Sequence, residues 1–412
     1  MVRRRNEELR EWTRKVIEKM PHLTKPQAVV LAMWSFGIVM TQSCGLSTVA
    51  AFIAAIVGKK ENTVRQQLRE WYKDAKHKTK SGKTEDETKI GRTAIDVTMC
   101  FAPLMMWVLS LWTEGEKRLV LAADASNLSD RFTVLAVSIV YRGCGIPIAW
   151  KIVEATKPGS WQPHWQELFG HVKNTVPKDW FVIVATDRGL YADWLYDEIC
   201  KCCWHPFMRI NQIGLFRLPE DKTWRDLKTL VPRHGDTFAR QVTCFKTNPI
   251  TTTLLAHHDE NYQEPWLILT DLTPESGDVC WYSMRSWIEC LFKDTKRGGF
   301  GWHHTKMTDP KRAERHWLAI AVATLWQISV GGEFDANIPA SSLEDLPPNH
   351  VAHRHHQQNP VVRTLSCFHR GFLMIQAAIF NRLPLPFGRF FPLPWPSFVS
   401  PPDVSQFTLS SA

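Results

Sequence analysis

The strongest chemical signal in this chain is a set of polar residues at helical spacing. The stretch is Tyr282-Ser-Met-Arg285-Ser-Trp-Ile-Glu289-Cys-Leu-Phe-Lys293-Asp-Thr-Lys296. Read as one helix, it turns Arg285, Glu289, Lys293 and Lys296 onto one side, with Tyr282 a turn earlier. That face sets one carboxylate among three cations and a phenol. Such a carboxylate can hold a divalent metal ion while the neighbouring cations grip phosphates. A solvated, salt-bridged surface helix has the same pattern. Trp287, Ile288, Leu291 and Phe292 occupy the other side and predict that this helix packs on a core.

Two more carboxylates fall where strands should end. Residues 118–123 read as a short buried strand with Asp124 directly after it, and residues 180–186 as another with Asp187 directly after it. Between them, 132–141 and 146–153 read as strands joined by a hairpin turn at Arg142–Gly145, and 161–175 as a helix. A helix at 191–202 and a strand at 204–210 follow. This order is the ribonuclease-H-like layout, in which the first and fourth strands are parallel neighbours. Asp124 and Asp187 should then meet at one sheet edge, where two carboxylates can hold divalent metal. Asp is also a common first residue of a loop, so the pairing, and not either Asp alone, is informative.

The elements around this core divide by texture. Residues 1–92 carry 19 Lys and Arg against 10 Asp and Glu, whereas the other 320 residues carry 31 of each, so the whole net charge of +9 sits in the N-terminal quarter. That is the footprint of a module that meets a polyanion. Helices are expected at 3–20, 27–40, 47–57 and 62–75, with Ser47 and Thr63 at or near caps. The succession resembles a helix-turn-helix bundle, whose last helix offers Arg65, Gln66, Arg69 and Lys73 to phosphates and base edges. An ordinary helical domain with a polar exterior is the other reading. Residues 76–89 read as a polar linker and 93–112 as an apolar helix. Residues 211–280 form a β-rich insertion with runs at 238–245, 251–257 and 266–270, and the core resumes over 281–330 with a helix at 310–330. From about Gly331 the helical period is lost. One last helix is expected at 361–380, within a Pro-rich tail over 331–412 that either drapes over the protein or stays without order.

Several function classes are set aside. The 44% hydrophobic content of 412 residues is ample for a large core. The apolar runs 28–39 and 101–112 are shorter than the roughly 20 residues that span a bilayer, so no membrane association is expected. Arg3, Arg4 and Arg5 lead into a charged helix, not the apolar core of a signal peptide, and a cytoplasmic, nucleoid-associated chain with reduced thiols is expected. The Cys200-Lys-Cys202-Cys203 cluster lacks a second Cys/His pair at zinc-finger spacing and reads as thiols buried at a helix end. His303-His304 and His353-Arg-His355-His356 are weak as ligand sets.

Taken together, Asp124 in LAADAS, Asp187 in VIVATDRGLY and Glu289 in the Tyr282/Arg285/Glu289/Lys296 signature resemble the DDE transposases of bacterial insertion sequences. The group is the one defined by Y-(2)-R-(3)-E-(6)-K, matched here at every defined position. The resemblance covers roughly 115–330 and includes the β-rich insertion between the second Asp and the Glu. It implies an α/β, ribonuclease-H-like catalytic core of the retroviral-integrase superfamily behind an all-α N-terminal domain. It also implies DNA strand cleavage and transfer by Asp124, Asp187 and Glu289 on two Mg²⁺ ions, for which Mn²⁺ substitutes, with no covalent protein–DNA intermediate. Tyr282, Arg285 and Lys296 are then phosphate contacts, and Lys293 is read as a further one. Members of the group often pass through a DNA hairpin, which needs a flipped base on an aromatic ring; Trp266 resembles the stacking residue. The implied partners are double-stranded DNA and a second copy of the chain. Two other readings stay open: a structure-specific, metal-dependent nuclease of the same fold, and a DNA-binding protein descended from a transposase.

Overall fold

A computed structural model describes residues 6–78, 93–128, 130–156, 159–260, 262–336 and 365–397. The Arg3–Arg5 lead, most of the 76–89 linker and the His353–His356 cluster lie outside the described residues. Among the described residues, ten strands form one sheet in the order β3-β2-β1-β4-β5-β10-β9-β8-β6-β7. The strands are β1 (Arg118–Leu128), β2 (Phe132–Tyr141), β3 (Cys144–Glu154), β4 (Phe181–Thr186), β5 (His205–Arg209), β6 (Leu215–Arg217), β7 (Arg225–Asp226), β8 (Thr237–Cys244), β9 (Ile250–His257) and β10 (Trp266–Thr270). The β2–β3 hairpin closes on two residues, Arg142 (φ 45°) and Gly143 (φ 76°). Positive φ at both central positions matches the right-handed twist of the flanking strands, so the turn is tighter than the Arg142–Gly145 span expected.

The β1–β4 pairing positions the chemistry. It is parallel from Arg118↔Phe181 to Ala123↔Thr186. β1 does not stop there, as the sequence reading supposed. It runs on to Leu128 because β2 supplies an antiparallel ladder on its other side through Leu128↔Phe132. Asp124 therefore lies inside β1, at the first residue whose β4 side is vacated by the end of that strand. The β-rich insertion extends this same sheet: β10 pairs antiparallel with β5 at Ile268↔Arg209 and Leu269↔Met208. The short β6 and β7 add two strands that no alternation announced.

The helices are α1 (Glu7–Lys19), α2 (Lys25–Thr41), α3 (Leu46–Val57), α4 (Glu61–Trp71), α5 (Thr98–Ser110), α6 (Gln162–Val172), α7 (Asp193–Lys201), α8 (Trp287–Thr295), α9 (Pro310–Ala336) and α10 (Cys367–Phe380). α2 starts with a reciprocal Thr24–Gln27 capping box, in which each side chain satisfies a free backbone donor. α3 and α4 start after Gly45 and Lys60, so Ser47 and Thr63 sit in first turns and cap neither helix. α2 and α3 meet at 101°. At the end of α7, Cys202 is buried but Cys203 is exposed with φ 58°, because the chain reverses there in a left-handed turn.

α9 is long and apolar enough to cross a membrane, yet 89% of that window is buried inside the protein. It is the central strut. Trp317 packs edge-on to Trp302 with centroids 5.4 Å apart, and Trp326 stacks on Trp12 of α1 at 4.1 Å. α9 also runs past Gly331 to Ala336. The glycines mark a helix crossing, not a helix end: a Cβ on Gly331 would lie 1.8 Å from the Cys367 carbonyl oxygen, and one on Gly371 1.8 Å from that of Gln327. α9 and α10 thus meet backbone to backbone. The Pro-rich segment drapes as far as it is described. Phe390 is fully buried, its N–H donates to Leu111 O (2.8 Å), and its carbonyl accepts from Thr113 N–H (2.9 Å). Gly371→Ala should force the two helices apart and lower stability by about 1–3 kcal/mol, the usual cost of overpacking; thermal unfolding followed by circular dichroism measures it, and an unchanged midpoint would contradict the crossing.

Candidate active site

The Tyr282–Lys296 stretch is not one α-helix. Val279–Ser286 is a 3₁₀ helix, started by Asp278, whose side chain accepts from Cys280 N–H, and the α-helical part begins at Trp287. A 3₁₀ turn takes three residues, so Tyr282 and Arg285, three apart, fall on one line. Arg285 and Glu289, four apart, then pair across the start of α8.

Arg285 gathers all three carboxylates. Its Nη2 lies 2.8 Å from Asp124 Oδ2 and 3.5 Å from Asp187 Oδ2, and its Nη1 lies 2.7 Å from Glu289 Oε1. The two Asp residues are aimed by local bonds. Asp124 Oδ1 accepts from Ala125 N–H at 2.7 Å. Asp187 Oδ1 accepts from Gly189 and Leu190 N–H at 3.0 and 3.1 Å. Each spends one oxygen on its own backbone turn and presents the other to Arg285. Side-chain exposure is 15% for Asp124, 13% for Glu289 and 37% for Asp187, so the site opens on the Asp187 side.

Burial dominates the electrostatics. It pushes the Asp124 carboxyl up to about 6, reinforced by the charges of Asp187 and Glu289 and opposed by Arg285. Burial alone disfavours the Arg285 cation, but the surrounding anions, Asp124 foremost, hold its pKa above the ordinary value. Burial raises the Tyr282 phenol to about 12, against the pull of Arg285 and Arg209, so Tyr282 stays a neutral phenol. Lys296 is lowered by burial.

The other predicted positions separate. Lys296 ends α8 and turns back onto β1, its Nζ donating to Ser126 Oγ and Asn127 O at 2.7 Å each. Lys293 does not join the cluster. It is exposed and lies against Gly298, because each step of four advances about 40° around a helix and carries it away from the stripe that Ile288, Leu291 and Phe292 bury. Trp266 is 5% exposed at the start of β10, with the Tyr262 ring 4.8 Å away and the Tyr282 ring 5.4 Å away. Stacking a base on it requires one of those rings to move. Gln66 Nε2 on α4 and Lys73 Nζ just beyond it both point to Glu70 Oε1 at 2.7 Å, leaving Arg65 and Arg69 exposed. The sequence reading missed Ser126, Asn127 and Arg209. The only local signal for the first two was their place two and three residues after Asp124.

The donor set suits a hard divalent cation: three carboxylates already converge on one positive group. In this arrangement they face a guanidinium and not a shared centre, and among the described residues no three of them form a ready-made cage. Arg285→Gln leaves three partly buried carboxylates without their cation. The variant should be less stable by about 3–5 kcal/mol, the usual cost of removing one partner of a buried pair, and Mn²⁺ should restore its unfolding midpoint more than it shifts that of the wild type. Equal Mn²⁺ shifts would contradict the reading.

Among known proteins, a family model described as "Transposase DDE domain" matches residues 118–326, which contains β1, β4 and α8. No curated protein sequence matches the chain. Among solved structures, a piggyBac transposase synaptic complex with hairpin DNA is similar over 85% of this chain and 84% of that chain, at 12% identity and a TM-score of 0.31. The family's enzymes cut and join DNA and generally use divalent metal ions. Because its model spans half of the sequence, with all three converging carboxylates inside the match, the chain belongs to the DDE transposase family.

Proposed function

We propose that this chain is a cut-and-paste transposase that binds the ends of its element and cleaves and transfers DNA strands at Asp124, Asp187 and Glu289. The observation that carries the proposal is the convergence of those three carboxylates on Arg285. The catalytic core is ribonuclease-H-like, a reading supported by the β3-β2-β1-β4-β5 order and the parallel β1–β4 and β4–β5 pairs. α2–α4 act as the helix-turn-helix-like part that meets DNA, and two copies act on paired ends. Residues 1–92 supply end binding, 93–210 and 281–330 the core, and 211–280 the insertion.

Asp124, Asp187 and Glu289 would hold two Mg²⁺ ions, or Mn²⁺ in their place. When bound, these supply positive charge where the attacking and leaving oxygens of phosphoryl transfer develop negative charge. The chain's own residues do the rest. Asp124 and Asp187 present one oxygen each, their other oxygens being fixed by backbone N–H groups. Arg285 leaves the carboxylates for a DNA phosphate, where a bidentate guanidinium binds well. The neutral Tyr282 hydroxyl and the Lys296 ammonium hold the strand beside the cut, and Lys293 contacts it further along α8. Trp266 receives a flipped base in a hairpin step once Tyr262 swings aside.

Asp124→Ala, Asp187→Ala and Glu289→Ala should each abolish Mg²⁺-dependent cleavage of a labelled element end while leaving DNA binding intact; normal cleavage by any of them removes that residue from the site. Trp266→Ala should slow hairpin formation more than first-strand nicking on the same gel, and an equal fall in both would contradict its stacking role. Because burial pushes the Asp124 carboxyl of the metal-free site up to about 6, protons should compete with the cation there, and Mg²⁺ affinity should fall as pH falls through that value; an affinity unchanged from pH 7 to 5 would contradict it.

A further inference from the structure

A second basic feature lies outside the carboxylate cluster. A cleft of about 790 Å³ separates α4 from the segment that joins α8 to α9. Arg65 and Arg69 line one wall. Arg297, Lys306 and Arg312 line the other, with the His303–His304 pair between them. Asp309 is the one carboxylate in the lining, and it is engaged at the start of α9, accepting from Lys311 and Arg312 N–H. Arg65, Arg69, Arg297 and Lys306 have no carboxylate within salt-bridge distance among the described residues, and all four are exposed. Four unmatched cations around one cleft set up a field that an anionic chain would relieve.

The cleft is held open by bonds that do not involve its charges. Cys44 N–H donates to Phe300 O at 2.8 Å and ties the joining segment to the α2–α3 turn. Arg315 of α9 donates to Tyr72 O at 3.0 Å and to Ile95 O at 3.0 Å, and pairs with Asp74 at 2.9 Å, fixing the end of α4. Gly299 permits the tight turn, since a Cβ there would lie 2.3 Å from Asp294 O. Spacing suits a backbone: Arg65 and Arg69 are one turn apart on α4, a rise of about 6 Å. One cleft residue adjoins the site along the chain. Arg297 follows Lys296, whose ammonium touches Ser126 and Asn127, two and three residues beyond Asp124 on β1.

We infer that this cleft binds the phosphate backbone of the DNA substrate, so that α4 and the Arg297–Arg312 segment of one subunit grip a single DNA segment that continues to the carboxylates. The inference rests on the transposase reading for the identity of the polyanion. It adds Arg297, Lys306 and Arg312 as DNA contacts and gives the α8–α9 segment a binding role.

The test is fluorescence anisotropy with a labelled DNA duplex across a salt series, in chelator so that no strand is cut. Each phosphate contact contributes about 0.9 to the slope of log affinity against log salt. Arg297→Ala/Lys306→Ala should therefore lower the slope magnitude by about 1.8 and weaken binding. Lys173→Ala/Lys178→Ala, equal in charge and outside the cleft, should leave both unchanged. An unaltered slope in the cleft variant, an equal loss in the control variant, or no duplex binding by the wild type would each overturn the inference. Circular dichroism on both variants confirms that they fold. Because binding is read without metal, a wild type that binds through the cleft but cuts nothing would remove the catalytic reading and leave this one standing.

Discussion

The parallel pairing of β1 with β4 is the constraint on which the site depends. Its last rung joins Ala123 to Thr186, and the next residue in each segment is the carboxylate, inside β1 for Asp124 and directly after β4 for Asp187. A one-residue slip would turn one Asp to the opposite face of the sheet, because side chains alternate along a strand. The register is secured from both sides: β1 continues against β2 as far as Leu128, and β4 pairs in parallel with β5. Long-range pairing therefore sets the distance between the two Asp residues, and α8, packed on β1, β2 and β3, brings Glu289 to them.

That convergence has a cost, which Arg285 offsets. Three carboxylates in a largely buried site repel one another, and burial raises the Asp124 pKa. A single guanidinium within 2.7–3.5 Å of all three relieves the repulsion. The same geometry makes Arg285 a competitor for any cation that binds there, and links the loading of the site to the arrival of an anion able to draw the guanidinium away. In the proposed reaction, that anion would be a backbone phosphate.

Much of the scaffold was legible because its signals are local. β2 and β10 occupy the spans their apolar, β-branched runs suggested, and α2, α3 and α7 follow their apolar periods to within a few residues. The adjacency of Asp124 and Asp187 followed from matching the element order to the ribonuclease-H-like layout. What escaped was non-local or depended on the backbone. The 3₁₀ turn through Tyr282 and Arg285 is indistinguishable from an α-helical start by residue type. The joining of the insertion to the core sheet rests on two rungs between β5 and β10 that no local pattern encodes. Gly331 read as a loss of helix because a close helix crossing and a helix end select the same residue. The cationic cleft escaped because its two walls lie more than 200 residues apart in sequence.

The central claim is that Asp124, Asp187 and Glu289 share one divalent-cation site. The most direct measurement replaces Mg²⁺ with Fe²⁺ and maps backbone cuts made by locally generated hydroxyl radicals, with the DNA end bound. The account predicts three clusters of cuts, around Asp124 on β1, around Asp187 after β4 and around Glu289 on α8, all suppressed together by excess Mg²⁺. Cuts at only one of these segments, or cuts that Mg²⁺ does not suppress, would contradict it.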